Sequence, residues 1–192
     1  MKVRRRWLIA AAAVGGSAAG MSLFLLRQRQ PRLESLGDGK HLVMLSAPKP
    51  LPALRFADDN GRTLHLDHFR GKLVLLNIWA TWCPPCVAEM PSLDRLQAML
   101  GGGDFEVVAL SIDAGGAGLN AVRRFFESVG IRYLRVYHDA SGKAGFDLGA
   151  FAVPTTLLLN GLAHEIGRIT GEAAWGSPEA IATIRRQLAA HR

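Results

Sequence analysis

The chain reads as an α/β protein, a mixed central sheet flanked by helices, and three observations predict this class. Short apolar runs alternate with longer segments of helical spacing from about residue 52 onward. Two of those runs, Leu73–Trp79 and Phe105–Ile112, are apolar on both faces and enclose a helix-length segment, as a buried parallel β-α-β unit requires. Two Asn-Gly pairs, Asn60-Gly61 and Asn160-Gly161, each separate two short strand-like runs and so add antiparallel hairpins to the parallel pair.

Each element has a local reason. Leu54-Arg55-Phe56 and Thr63-Leu64-His65-Leu66 flank Asp59-Asn60-Gly61, which predicts an N-terminal β-hairpin extension with the turn at Asn60-Gly61; a loop, 67–72, follows. Leu73–Trp79 is the first buried strand. Pro84-Pro85 to Leu100 is a helix, because proline is tolerated in a first turn whose N–H groups have no intrahelical partner, and Gly101-Gly102-Gly103 stops it. Phe105–Ile112 is the second buried strand, and Asn120–Val129 a helix with apolar Val122, Phe125 and Phe126 on one side. A strand is expected over Tyr133–Tyr137 and a short helix over Lys143–Phe151. Thr155–Leu159 and Glu165–Ile169 form the second hairpin. Ser177–Ala190 closes the chain as a helix, with Ser177 as N-cap and Pro178 in the first turn.

The N-terminal part has a different character. Residues 1–6 are basic and precede Trp7–Leu26, a 20-residue stretch without a charge. As a helix that stretch would be roughly 30 Å long, the hydrocarbon thickness of a bilayer. The expected reading is an uncleaved signal anchor at 7–26, with 1–6 cytoplasmic and the folded part outside. A cleaved signal with Ser17-Ala18-Ala19 at its site and a twin-arginine signal at Arg4-Arg5-Arg6 are the other readings, and both also export the domain. Residues 27–51, with Pro31, Pro48 and Pro50, read as a tether of little regular structure. The folded domain is then 52–192.

Charge excludes one class of function. The formal net charge is +7, but residues 1–32 hold seven Lys/Arg and no acid, and the rest of the chain is balanced. A nucleic-acid-binding domain needs basic residues gathered on a folded face, so no nucleic-acid partner is expected. Two cysteines among 192 residues cannot make a disulfide framework either.

Those two cysteines carry the chemistry. They stand in Trp82-Cys83-Pro84-Pro85-Cys86, between the first buried strand and its helix. A helix N-terminus supplies roughly half a positive charge and unpaired N–H groups, which lower a thiol's pKa from about 8.5. Cys83, just ahead of the helix, is the attacking thiol. Cys86, one turn inside and on the same face, is the resolving thiol. Other uses of the pair fit less well. One C-x-x-C is half of a four-thiolate zinc site, and His41, His65, His68, His138, His164 and His191 are scattered. Haem attachment needs a histidine where Val87 stands. No metal and no cofactor is expected.

Asn77-Ile78-Trp79-Ala80-Thr81-Trp82-Cys83-Pro84-Pro85-Cys86, followed by Glu89-Met90-Pro91, resembles the membrane-anchored thioredoxin-like proteins of bacteria, the TlpA/ResA/CcmG family. Ala-Pro-Lys-Pro at 47–50, the run from Asp104 to Ala109, and Ala174-Trp175 are most similar to the TlpA type. The resemblance implies a thioredoxin fold and a periplasmic active site on the bacterial cytoplasmic membrane. It implies a reductant of partner-protein cysteines during cytochrome c or cytochrome oxidase assembly, supplied with electrons by a membrane thiol transporter. It also implies that Pro154 is the family's cis-proline, beside which the Val153 backbone can bond an incoming peptide; a trans proline opening the next strand is the plainer alternative. Trp82, Pro84 and Pro85 would share that substrate surface. Glu89 matches an acid of ResA-like proteins and, if buried, could accept the Cys86 proton; an exposed helix charge is the other reading. Thioredoxin itself has an ionisable acid at the position of Asn77, which cannot titrate.

Two further functions compete. Two thiolates can hold Cu(I), which would make a copper-binding or copper-transfer module, though no histidine is placed to add a third ligand. A thiol peroxidase would use Cys83, but Thr81 lies two residues before it and no proline lies in the preceding ten, unlike the peroxidase motif.

Overall fold

A computed structural model of the chain describes residues 31–191. Its nine strands form one sheet: β1 (Arg32–Gly37), β2 (Lys40–Lys49), β3 (Arg55–Asp58), β4 (Thr63–His65), β5 (Leu73–Trp79), β6 (Phe105–Ser111), β7 (Tyr137–His138), β8 (Thr155–Leu159) and β9 (Glu165–Thr170). Their spatial order is β1-β2-β9-β8-β5-β6-β7-β3-β4. The pairs β5/β6 and β6/β7 are parallel and the rest antiparallel, so the sheet is mixed, with β5 at its centre. Four helices cover it: α1 (Pro84–Leu100), α2 (Gly118–Val129), α3 (Ala144–Asp147) and α4 (Pro178–His191).

The central strand sorts the core into two layers by its period of two. Leu73, Leu75 and Trp79 face the layer filled by Met90, Leu93 and Leu96 of α1, Val122 and Phe126 of α2, and Ile181 and Ile184 of α4. Val74, Leu76 and Ile78 face the other layer, with Leu54, Phe56, Phe69, Ala144 and Leu148. Asn77 falls on the α1 side of that alternation, the one polar residue in a strand whose seven residues are all buried.

The expected tether is the main correction. Among the described residues regular structure begins at Arg32, not near residue 52: β1 and β2 form a hairpin on the outer side of β9. Its turn is Gly37-Asp38-Gly39, all at positive φ, so an Asp-Gly pair makes a tight reversal here. The hairpin is folded because α4 covers it. Leu36 and Leu42 are fully buried. Ser177 and Thr183 donate their hydroxyls to the carbonyls of Leu36 and Ser35, at 2.8 and 2.7 Å. The expected span 7–26 lies outside the described residues, and among those described no helix is long and apolar enough to cross a membrane.

Smaller differences have local causes. Both expected Asn-Gly hairpins exist, as β3/β4 and β8/β9, but neither turns on its Asn-Gly pair. In the first, Asp58 Oδ1 accepts the N–H groups of Asn60 and Arg62, which makes a longer loop with only Gly61 at positive φ. In the second, Asn160 Oδ1 accepts the N–H groups of Leu162 and His164, and the left-handed residue is Ala163. The strand expected at 133–137 shrinks to Tyr137–His138. The buried Asp94 carboxylate explains why: it takes the N–H groups of Arg132, Tyr133 and Leu134 away from any sheet. The loop expected at 67–72 begins inside a single 3-10 turn, Leu66–Phe69.

Candidate active site

Cys83 and Cys86 meet at the carboxyl end of β5 and are joined as a disulfide. Cys83 is the N-cap of α1, and the backbone N–H of Cys86 points at its Sγ from 3.3 Å. Pro84 and Pro85 have no N–H to offer, so this is the N–H of the first turn that reaches the sulfur. Cys83 is 4% exposed and Cys86 fully buried, so an incoming partner meets Cys83 first. Next to them Trp82 is 64% exposed, Pro84 is exposed and Pro85 half-buried.

Two further segments close the site. The Val153–Pro154 peptide is cis, and the Val153 carbonyl oxygen lies 3.6 Å from Cys83 Sγ. In the disulfide that is a van der Waals contact; a reduced Cys83 thiol could donate across it. Behind the cysteines, Asp113 holds the loop between β5 and α1. Its carboxylate accepts the Thr81 N–H at 3.0 Å, the Thr81 hydroxyl at 2.6 Å and the Ser111 hydroxyl at 2.7 Å. Its own carbonyl takes the Nε2–H of buried His138 at 2.6 Å.

Glu89 is buried at 3% exposure, one helical turn beyond Cys86 on the side of α1 that faces the sheet. Three donors hold its carboxylate. Asn77 Nδ2 reaches Oε1 at 2.7 Å; the Ala173 N–H and the Trp175 indole N–H reach Oε2 at 3.0 and 3.2 Å. Burial pushes the carboxyl up to about 7, against the pull of those donors and with a further push from the Glu172 charge. Its place one helical turn from Cys86 and its raised pKa are the properties that proton exchange near neutral pH requires.

Cys83, Cys86, Val153 and Pro154 therefore lie together, with Trp82 on the rim and Glu89 beneath. Sequence reasoning gave no role at the site to Trp175, Thr156, Asp113 or Thr81, although Trp175 and Thr81 stand in the motifs that carry the family resemblance. Asn77 could have pointed to the first two, since a polar side chain in an otherwise apolar buried strand must find partners. Asp113 had no comparable signal. Among the described residues no three His, Cys, Asp or Glu side chains are grouped closely enough to hold a metal ion, so the copper reading gains no third ligand.

Comparison with known proteins gives the chain's family and fold. The Redoxin family model matches residues 46–179. The chain is 32% identical to the thiol:disulfide interchange protein DsbE of Pseudomonas aeruginosa over 145 residues, covering 73% of this chain and 76% of that one. It is 32% identical to the thiol-disulfide oxidoreductase ResA of Bacillus thuringiensis, over 65% and 69% of the two chains. A DsbE of Yersinia pestis is 36% identical, but the match spans only 58% of its length. Among solved structures, a DsbF homologue from Corynebacterium diphtheriae superimposes with a TM-score of 0.61 at 24% identity, over 82% of this chain and 99% of that one. The exposed lipoprotein thioredoxin Etrx1 of Streptococcus pneumoniae gives 0.57 at 22%, over 72% and 99%. At such identities these two speak for the fold alone, which is thioredoxin-like.

Proposed function

The chain belongs to the Redoxin family, as a thiol–disulfide oxidoreductase of the DsbE/ResA type, and on that premise we propose that it is a membrane-anchored reductant of client-protein cysteines outside the cytoplasm. The Cys83 thiolate attacks a client disulfide, forming a mixed disulfide and releasing one client thiolate. Cys86 passes its proton to Glu89, and the resulting thiolate attacks Cys83 Sγ. The Cys83–Cys86 disulfide closes and the second client thiolate leaves. Two electrons have moved to the client, and the two protons its thiolates need come from the Glu89 carboxyl and from water. A membrane thiol transporter returns the two electrons. Trp82, Pro84, Pro85 and the Val153-Pro154 backbone form the client surface, and the clients are proteins of cytochrome c or cytochrome oxidase assembly, as the family resemblance implies. The anchor is 7–26.

One observation carries the direction. A strongly oxidising dithiol is one whose reduced form is stabilised, chiefly through its thiolate. Here two of the first-turn residues are prolines, and Cys83 Sγ receives a single backbone N–H, from Cys86. On this reading the missing proline donors leave the thiolate less stabilised than a proline-free first turn would, which favours handing its electrons on.

A redox titration followed by Trp82 fluorescence tests this. A midpoint of about −250 mV supports a reductant, and one near −120 mV, the range of strong oxidants, overturns it. Trapping tests the roles of the cysteines: Cys86→Ser should leave clients joined to Cys83. A larger yield from Cys83→Ser would reverse the two roles.

A further inference from the structure

Glu89 is held from two directions by buried side chains. From the sheet, Asn77 Nδ2 donates to Glu89 Oε1 at 2.7 Å and to Thr156 Oγ1 of β8 at 2.9 Å. From the segment before α4, Trp175 Nε1 donates to Oε2 at 3.2 Å. Trp175 is itself fixed, since its backbone N–H bonds Ser92 Oγ at 3.2 Å, and Ser92 Oγ donates to the Glu89 carbonyl at 2.8 Å. Asn77, Thr156 and Trp175 are all fully buried, so water does not compete for these contacts.

Asn77 has a second property. Its Oδ1 has no hydrogen-bond partner among the described residues. Turning the amide over would exchange Oδ1 and Nδ2. Oδ1 would then accept from a protonated Glu89 and from the Thr156 hydroxyl, each of which can donate as well as accept. An amide can thus bond both protonation states of Glu89, which a carboxylate at the same place cannot do.

We propose that Asn77 and Trp175 are positioning residues for the proton step: they hold the Glu89 carboxyl beneath Cys86 and set the pH at which it exchanges a proton with that thiol. The inference rests on the reading of Glu89 as the Cys86 proton acceptor. Trp175 favours the ionised form, because an indole N–H can only donate. Asn77 serves both forms and keeps the carboxyl in place as it changes. The charge that reaches this site from a neighbouring segment is Glu172, whose partner is Lys40 of β2 at 3.7 Å; the other ionisable groups on this part of α1 are the cysteines themselves.

The test combines two readouts on the full chain. The first is the titration of the Glu89 side-chain carboxyl by 13C NMR in the oxidised protein. The second is the pH profile of stopped-flow reduction of glutathione disulfide by the reduced protein, read from Trp82. Trp175→Phe removes one donor and keeps an aromatic ring, so both midpoints should move up by about one pH unit. In a Glu89→Gln background the same change should leave the kinetic profile where Glu89→Gln alone puts it. Asn77→Leu removes the other donor and gives an independent reading should Trp175→Phe fail to fold. Unmoved NMR midpoints in the folded variants overturn the inference. A kinetic profile indifferent to Glu89→Gln overturns instead the role of Glu89 as proton acceptor, while the NMR midpoints still decide what Asn77 and Trp175 do.

Discussion

Asn77 of the central strand and Glu89 of the first helix meet through a hydrogen bond of 2.7 Å between fully or almost fully buried side chains. Replacing Asn77 by Asp would set two carboxyls at that distance. They could not both ionise, so they would share one proton. Asn77→Asp should therefore add a titration well above pH 7 to the NMR of the side-chain carboxyls. It should also cost more stability at pH 8 than at pH 5, as measured by urea unfolding at the two pH values.

Glu89 also makes stability depend on pH in an unusual sense for a carboxyl. Its pKa is raised from 4.5 to about 7, so between those values the native state keeps a proton that the unfolded chain has lost. Stability then falls as pH rises through that window, by about 3 kcal/mol in total, with the loss complete above pH 7. Urea midpoints of the oxidised protein should drop from pH 4.5 to 7.5, and Glu89→Gln should flatten that contribution. A wild-type stability that rises over this interval while Glu89→Gln behaves identically would refute it.

Asp94 offers a test of the loop between α2 and β7. Its carboxylate accepts three backbone N–H groups, those of Arg132, Tyr133 and Leu134. Asp94→Ala strands these donors and should cost about 2–4 kcal/mol, with amide hydrogen exchange rising first at 132–134.

Glu165 is almost wholly buried and is gripped through both oxygens by Arg168, at 2.5 and 2.6 Å. Arg168 also donates to the Gly149 and Leu148 carbonyls, so the pair ties β9 to the segment after α3. Arg168→Ala leaves a buried charge alone and should cost about 3–5 kcal/mol. Adding Glu165→Gln should recover part of that loss, since the neutral amide removes the charge; a double variant as unstable as the single one would count against this account.

The N-terminal hairpin belongs to the core. Leu42→Ala should destabilise by about 2–5 kcal/mol and shift the urea midpoint of the whole domain. A variant starting at residue 52 should expose the covering face of α4 and lose stability cooperatively. A tether would show neither effect.

How much of this was legible in the sequence depended on how local the cause was. Leu73–Trp79 and Pro84–Leu100 have their observed limits because a seven-residue apolar run, a proline pair and a glycine triplet are local signals. The β1–β2 hairpin was missed because its prolines and polar residues read as linker. Its stability comes from α4: Thr183 lies 148 residues from the carbonyl it bonds. Even so, Asp38-Gly39 between leucines was a readable turn. The two Asn-Gly pairs misled in the opposite way, since side chains of Asp58 and Asn160 reshaped those loops. At the site, the cysteines were legible from spacing and burial. The bond from Trp175 to Glu89 spans 86 residues, and no local pattern encodes it.

A strand that starts at Arg32 shortens the leash. With the proposed span ending at Leu26, five residues, 27–31, separate it from the first described strand, and fully extended they would reach at most about 18 Å. On that proposal the dithiol would meet anchored partners more often than freely diffusing ones, because a linker of five residues allows far less reach than one of twenty-five.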